Sequence, residues 1–226
     1  MNELSTPGLL RLLQIASPAL PIGAFAYSQG LETALELGFV RDEASASEFL
    51  GGVLAHGLAE LELPLLGRLW TTFVEDDAAA AERWSLFLLA SRETNERRAE
   101  EQQLGRALAR LLADQGIVEA GPWFRSPAVT HVGMFALAGA RFTVPVAALV
   151  PAFAFAWAEN QVGALARLLP LGQLAAQRVL AALGAQVPAA AAHAAALSDA
   201  DVGATLPGLA LASALHETQY TRLFKS

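Results

Sequence analysis

The chain has 226 residues, of which 54% are hydrophobic, with a formal net charge of −7 and a mean hydropathy of +0.39. This length suits one sizeable core, and because no linker interrupts the sequence we expect a single domain over residues 1–226. The acidic balance argues against a nucleic-acid binder, and the lack of cysteine excludes disulfides and thiolate metal sites.

The composition predicts helices. Alanine supplies much of the apolar count and has the best helix propensity, whereas strand-forming residues are sparse. We therefore expect an all-α fold, a bundle of about eight to ten helices with no sheet. Asn2 and Glu3 stand where a signal peptide would carry positive charge, so we predict a cytoplasmic protein. The only lysine is Lys225, which excludes a phosphate-loop lysine or a Schiff-base lysine in the interior.

Periodicity and capping signals place the helices. The segments expected to be helical are about 4–15, 27–37, 45–73 with a kink or break at Pro64, 77–91, 97–114, 172–183 and 207–220. Ser45 and Glu48 have the spacing of a capping box, after the acidic Asp42. Gly38 and Gly116 are expected to end helices, and residues 121–127 read as a loop. The alanine-rich residues 189–196 show no pattern that assigns them to a helix or a loop.

Residues 143–158 are almost wholly apolar and raise the question of a membrane span. The run is shorter than the roughly 20 residues that a bilayer requires. It also contains Pro145 and Pro151 and is followed at once by polar residues. We predict a buried central helix and no membrane association.

The loop at residues 17–32 organises the chain. Its backbone is set by prolines and glycines, which exclude one continuous helix: Pro18, Pro21, Gly23 and Gly30. Phe25 and Tyr27 stand among small residues in this loop. These aromatic side chains either plug the core beneath the loop or anchor a partner.

The sequence offers no clear catalytic or metal-binding site. The four histidines, His56, His131, His193 and His216, include no pair at i+3 or i+4, so we expect structural roles and no directly bound metal. No serine has a nucleophile setting, and we predict no catalytic residue.

The charged residues 92–101 include Arg92, Glu93 and Glu96. The i+4 spacing of Glu93 to Arg97, and of Arg97 to Glu101, predicts a salt-bridged face in solvent. A buried polar network at an interface is the alternative.

The chain ends in a charged and aromatic tail at residues 216–226. Arg222 could act in principle as an arginine finger toward a bound GTPase, although nothing in the spacing favours this. We interpret the tail as a segment that cannot bury itself alone and that orders on docking with a partner.

Four stretches in order resemble the UreF family of urease accessory proteins. The first is the loop Ser-Pro-Ala-Leu-Pro-Ile-Gly-Ala-Phe-Ala-Tyr-Ser-Gln-Gly-Leu-Glu that starts at Ser17. The residues that carry the other three stretches are Arg92, Glu93, Glu96 and Gly105, then Gly172, Gln173 and Gln177, and finally His216 and Glu217 with the tail that follows. The sequence departs from the family pattern at Arg97, where a leucine is usual, and this leaves the local packing open.

The resemblance implies a helical adaptor and no enzyme. Such a protein binds UreD, called UreH in some organisms, recruits the GTPase UreG and acts on urease apoprotein, supporting lysine carbamylation and nickel insertion. Nickel and GTP would act through these partners, and the chain would form a homodimer. The position that matches the family's motif places Phe25 toward the GTPase, and Tyr27 is a further candidate for partner binding. The tail residues that would pack on UreD are Tyr220, Arg222, Leu223 and Phe224.

Two other classes stay open. One is a helical enzyme or binding protein for a small hydrophobic molecule, for which the sequence offers no dense group of polar residues. The other is a membrane-associated helical protein. The direction of any effect on GTP hydrolysis is also left open.

Overall fold

Eleven α-helices and no strand make up residues 3–226, which the computed structural model describes. The helices are α1 Thr6–Ile15, α2 Leu31–Glu36, α3 Glu43–Val53, α4 Glu62–Val74, α5 Ala78–Ala90, α6 Asn95–Asp114, α7 Ala120–Trp123, α8 His131–Arg141, α9 Val146–Leu168, α10 Gln173–Ala196 and α11 Pro207–His216. The predicted all-α class is confirmed. Asn2, used in the prediction about a signal peptide, lies outside the described residues.

The core is built around α4, α8 and α9. Helix α4 packs on α8, α5 and α9, while α6 packs on α8 and α10 packs on α9. Every residue of α8 from Val132 to Gly139 is buried, with Phe135 and Met134 among the largest enclosed side chains. A helix that is apolar on all sides is expected at the centre of a domain.

The buried helix predicted at 143–158 is present as α9, but it continues ten residues further, to Leu168. Pro145 is its N-cap and Pro151 lies inside it. The polar residues expected to end the helix are accommodated, since the Gln161 side chain is itself buried. Buried residues recur along the helix from Leu149 to Leu165, and this burial outweighs the local polar signal.

Local signals set several boundaries correctly. Helices α2 and α6 end just before Gly38 and Gly116, and Pro64 lies in the first turn of α4, after a break in the long apolar segment. The predicted capping box of Ser45 and Glu48 is wrong, because the box is formed by Asp42 and Ser45. Asp42 is the N-cap of α3: its carboxylate accepts the Ser45 N–H at 2.8 Å, and the Ser45 hydroxyl accepts the Asp42 N–H at 3.0 Å.

Other boundaries differ for physical reasons. Helix α2 starts at Leu31 rather than near Tyr27, because Gln29 and Gly30 both have positive φ. The region predicted as a loop at 121–127 contains the single turn α7, and α8 was not predicted because its apolar residues show no period. Helix α10 runs through Pro188 to Ala196, and α11 ends at His216.

Among residues 3–226, one helix is long and apolar enough to cross a membrane. This is α10, with 24 residues and a mean hydropathy of 1.4, and a third of its apolar window is buried. The segments Glu43–Leu58 and Glu62–Val74 would add a second span only if they formed one helix, but they are bent by 41°. The core helices of soluble proteins meet the same criterion, so length and composition alone do not assign a membrane role.

Candidate functional site

The loop and the tail, predicted as two separate docking elements, lie side by side. The Ser28 N–H and hydroxyl donate to the Ser226 carbonyl at 2.8 and 2.6 Å. The Lys225 N–H donates to the Ala26 carbonyl at 2.9 Å. Residues 24–28 and 220–226 thus form one unit, called here the loop–tail surface.

Glycines shape the loop as the sequence predicts. Gly23 has φ +84° and Gly30 has φ +83°, a region that residues with a Cβ atom rarely adopt. Gly30 also has a contact role that was not predicted, because a Cβ there would lie 3.3 Å from the Ser213 nitrogen of α11. Pro21 is exposed just before the short 3₁₀ turn Ala24–Ala26.

The two loop aromatic side chains point in opposite directions. Phe25 is 69% exposed, whereas Tyr27 is 5% exposed. The Tyr27 hydroxyl donates to Gln103 Oε1 at 2.6 Å, and the Lys225 ammonium lies 5.8 Å from the Tyr27 ring centroid. Burial, together with the nearby Glu100 carboxylate, raises the pKa of Tyr27. Tyr27 therefore anchors the loop on α6, and Phe25 is presented to solvent.

Arg167 of α9 ties the loop to the tail. Its Nη1 donates to the Phe25 carbonyl at 3.1 Å, and its guanidinium lies 4.8 Å from the Phe224 ring centroid. A cation over an aromatic face is attracted by the ring quadrupole. Sequence analysis missed Arg167, because it belongs to a helix far from either element in the chain.

The tail is held by a buried carboxylate. Glu32 accepts the N–H groups of Leu223 at 2.7 Å and of Phe224 at 2.9 Å. Phe224 and Ser226 are buried, so the expectation that the tail cannot bury itself alone is wrong. Tyr220 is fully exposed and Leu223 is 54% exposed. Of the tail residues predicted to bind a partner, these two and Arg222 are exposed to solvent.

His216 joins the tail to α6. Its ring is fully buried, with Nδ1 2.6 Å from Glu96 Oε2 and Nε2 3.4 Å from Glu32 Oε2. Arg222 pairs with the same Glu96, whose N–H donates to the Glu217 carboxylate at 3.1 Å. The family-like residues of α6 and of the chain end thus form one polar cluster, and the predicted structural role of His216 agrees with this geometry.

A second polar network lies inside the protein and corrects the predicted solvent face. Arg92 bridges Glu62 at 2.5 Å and Glu101 at 2.6 Å, and all three side chains are more than nine-tenths buried. Burial alone would lower the pKa of Arg92, but the two carboxylates raise it. The interpretation as a solvated face failed because Glu62, the missing partner, comes from α4.

Glu100 connects this network to the loop–tail surface. Its carboxylate accepts Gln29 Nε2 at 2.6 Å and the Ser226 hydroxyl at 2.9 Å. Burial raises the pKa of Glu100. Arg97, the departure from the family pattern, lies 3.6 Å from Glu62 and 3.8 Å from Glu100. It therefore adds a buried cation between two carboxylates.

A small cavity lies beneath the loop. Its roof includes Pro18 and Ile22, and its floor includes Arg92 and His131. The space open to the centre of a water molecule is about 90 Å³, and the Arg92 Nε has no hydrogen-bond partner. Desolvation lowers the pKa of His131. Within residues 3–226, no group of three His, Asp or Glu side chains is arranged to hold a metal ion.

Three predicted motif residues lie apart from this assembly. Gly172 is the N-cap of α10 and Gln173 is its first, exposed residue. Glu93 is exposed just before α6 and does not form the predicted pair with Arg97, which lies near Glu62 and Glu100 instead. The exposed Gln177 also lies apart on α10, and Gly105 packs on Thr130 at the start of α8, while the other motif residues lie at the loop–tail surface or in the network beneath it.

Comparison with known proteins decides the family. A family model described as UreF matches residues 40–184, more than half of the chain. The chain belongs to the UreF family. A urease accessory protein UreF of Alkalilimnicola ehrlichii is 47% identical over 228 residues, covering 100% of both chains. UreF proteins of Chromohalobacter salexigens and Pseudomonas putida are 51% and 49% identical, each covering 96% of this chain and 94% or 97% of their own.

The match to the UreF family model runs from residue 40 to residue 184, so the loop and the tail lie outside it. The relatives, however, align over nearly the whole chain. The UreF assignment therefore rests on the helical body and on the full-length relatives together. The loop–tail surface lies outside the segment that the family model covers.

Proposed function

We propose that this UreF-family chain is an adaptor in urease maturation with no turnover of its own. In this role it binds UreD, also called UreH, and recruits the GTPase UreG to urease apoprotein. The assembly then supports lysine carbamylation and nickel insertion. Nickel and GTP act through the partners, and the chain works in the cytoplasm as a homodimer.

The observation that carries the proposal is the loop–tail surface. It joins three exposed side chains, Phe25, Tyr220 and Leu223, and hydrogen bonds hold the tail backbone at Leu223 and Lys225 against Glu32 and the loop. Exposed aromatic anchors on a preorganised backbone are typical of protein interfaces. Tyr27 and Phe224 support the surface from beneath.

The side-by-side arrangement bears on how partners share the surface. Phe25 is assigned to the GTPase and the tail to UreD, yet the two elements are hydrogen-bonded to each other. A change in the tail on binding UreD would therefore move the backbone that presents Phe25. This predicts that the two partners bind with coupled affinities.

The first test is reconstitution. Urease subunits and the other accessory proteins are co-expressed under limiting nickel, with and without this chain, and urease activity and nickel content are both measured. We expect nickel-poor, inactive enzyme without the chain and active enzyme with it. Equal activity and nickel content in both cultures would reject the adaptor role.

Point variants then separate the two contacts. Phe25→Ala should weaken UreG recruitment and leave UreD binding intact, while Tyr220→Ala with Leu223→Ala should weaken UreD binding. Phe87→Ala on α5 is the matched control, because it also removes an exposed phenylalanine. Point changes are preferred to removal of the tail, since removal would expose Glu32 and the core beneath Phe224. Unchanged recruitment in Phe25→Ala would count against its assignment.

A further inference from the structure

His216 lies between the two carboxylates that hold the tail. Its ring is fully buried, with Nδ1 2.6 Å from Glu96 Oε2 and Nε2 3.4 Å from Glu32 Oε2. Glu32 also accepts two backbone N–H groups of the tail, and Glu96 pairs with Arg222. The imidazole therefore contacts both of the groups that fix the tail on the helical body.

These two contacts require a charged ring. An ionised carboxylate only accepts hydrogen bonds, and a neutral imidazole has a single N–H group to donate. Because each ring nitrogen of His216 is directed at a carboxylate oxygen, each must carry a proton. The ring that fits this site is the imidazolium cation. A neutral ring would place a nitrogen lone pair against one of the two carboxylates.

The charges around the ring balance only when it is protonated. Helix α2 presents Glu32 to the ring and α6 presents Glu96, while Arg222 of the tail reaches the second oxygen of Glu96. Glu217, next to His216 in the chain, accepts the Glu96 N–H. Within the described residues, 3–226, Glu32 has no cationic partner other than His216. Loss of the ring proton would leave Glu32 as a buried anion with only backbone N–H partners, which is costly.

We propose that His216 is a pH-sensitive switch that holds the tail in place when its ring is protonated. Histidine is the side chain that ordinarily gains or loses its proton between about pH 5 and pH 8. The stability that the imidazolium gives to the tail is full at low pH and is lost as the pH rises and the proton leaves. The consequence for binding rests on the proposed adaptor function: UreD, assigned to the tail, binds more weakly as the pH rises.

Glu100 is a second titratable group that reaches the tail. Its carboxylate accepts the Ser226 hydroxyl at 2.9 Å, and burial raises the pKa of Glu100. It acts at the last residue of the chain, whereas His216 acts through Glu32 on the backbone two and three residues earlier. A comparison of the wild-type chain with a His216 variant that retains Glu100 therefore separates the two groups.

The test measures hydrogen exchange at the Leu223 and Phe224 amides of the full chain, as protection factors corrected for the intrinsic pH dependence of exchange. The pH runs from about 6, within the range in which histidine titrates, to about 9, above that range. The variants are His216→Gln and the control His193→Gln. His193 also pairs with a glutamate, Glu60 at 2.8 Å, but it is exposed on α10. The ¹⁵N chemical shifts of the His216 ring are recorded over the same range and report its protonation in the wild-type chain.

We expect protection of both tail amides to fall about tenfold from the low to the high end of the pH range, in wild type and in His193→Gln alike. In His216→Gln the tail should be weakly protected throughout, with a smaller change across the range. The ring shifts should show two protonated nitrogens at the low end and a titration that follows the loss of protection. A ring that is neutral at the low end, a ring that keeps both protons to the high end, or an equal loss of protection in His216→Gln would overturn the proposal.

Binding of purified UreD is then measured at the two ends of the pH range. We expect binding to be about tenfold weaker at the high end for wild type and for His193→Gln. Equal UreD affinity at both ends, while the tail loses protection, would overturn the consequence for binding. If UreD binds at neither end, the adaptor assignment fails, and the exchange and ring data still decide the switch.

Discussion

The Glu32 carboxylate accepts the backbone N–H of Phe224 at 2.9 Å, across 192 positions of the chain. A second N–H, from Leu223, reaches the other carboxylate oxygen at 2.7 Å. Glu32 is itself buried, so these bonds are shielded from water. One side chain of α2 therefore fixes the backbone of the tail.

Glu32→Gln should loosen the tail. The amide keeps one acceptor oxygen but turns an N–H donor toward the other backbone N–H, which leaves a buried donor unsatisfied at a cost of about 1–3 kcal/mol. We expect faster hydrogen exchange at the amides of Leu223 and Phe224. Glu48→Gln is the control, because Glu48 is exposed on α3 and lies away from the tail. Identical exchange in both variants would show that Glu32 does not hold the tail.

Arg92→Leu should destabilise the protein strongly. The change strands the carboxylates of Glu62 and Glu101, and breaking a buried pair in this way costs about 3–5 kcal/mol. Arg178→Leu removes an exposed pair with Glu43, and we expect little change there. Urea denaturation of both variants measures the difference. A small loss in Arg92→Leu would mean that water or rearrangement satisfies the carboxylates.

Glu100→Gln should change how stability depends on pH. Burial raises the folded-state pKa of Glu100 above its ordinary value of 4.5, so its contribution to stability is full below that value. The contribution is lost as pH rises through the raised pKa. The glutamine variant lacks this loss and should gain stability relative to wild type over the pH range above 4.5.

Thermal melts across this pH range measure the Glu100 effect. The control is Glu48→Gln, whose side chain lies in solvent on α3 and which should leave the shape of the curve unchanged. Curves for Glu100→Gln and wild type that stay parallel throughout would contradict the prediction.

Gly105→Ala should disturb the packing of α6 on α8. A Cβ at Gly105 would lie 2.6 Å from the Thr130 carbonyl carbon and 2.8 Å from its oxygen, and backbone cannot rotate away as a side chain can. We expect a loss of about 1–3 kcal/mol from overpacking. Gly163→Ala in α9 meets nothing within 4 Å and should be stabilising by about 0.5–1 kcal/mol. Denaturant midpoints that move in the same direction for both variants would refute the close-approach argument.

The sequence predicted the helical class, the loop shaped by Gly23 and Gly30, and most helix ends that carry a glycine or proline signal. These features depend on residues close together in the chain. The position of Arg92 could not be predicted, because its partner Glu62 is 30 residues away and a helical wheel of one segment shows only neighbours at i+3 and i+4. Arg167 was missed for the same reason.

Burial explains the other differences. Residues Val132 to Ala140 of helix α8 include no polar side chain to mark an exposed face. Helix α9 continues past its polar residues because the apolar residues on either side of them are buried. The tail was interpreted as unable to bury itself because its acceptor, Glu32, lies near the start of the chain. The contacts that define the candidate site are thus the long-range ones, which sequence patterns do not encode.

The joining of the loop to the tail also orders events during synthesis. While residues up to α11 have left the ribosome, the loop lacks Ser226 and Lys225, the groups that bind Ser28 and Ala26. Contacts between distant segments form late in folding, since the intervening chain must first be arranged. The helical body can therefore fold before the loop–tail surface exists, and this surface is the last part of the protein to form.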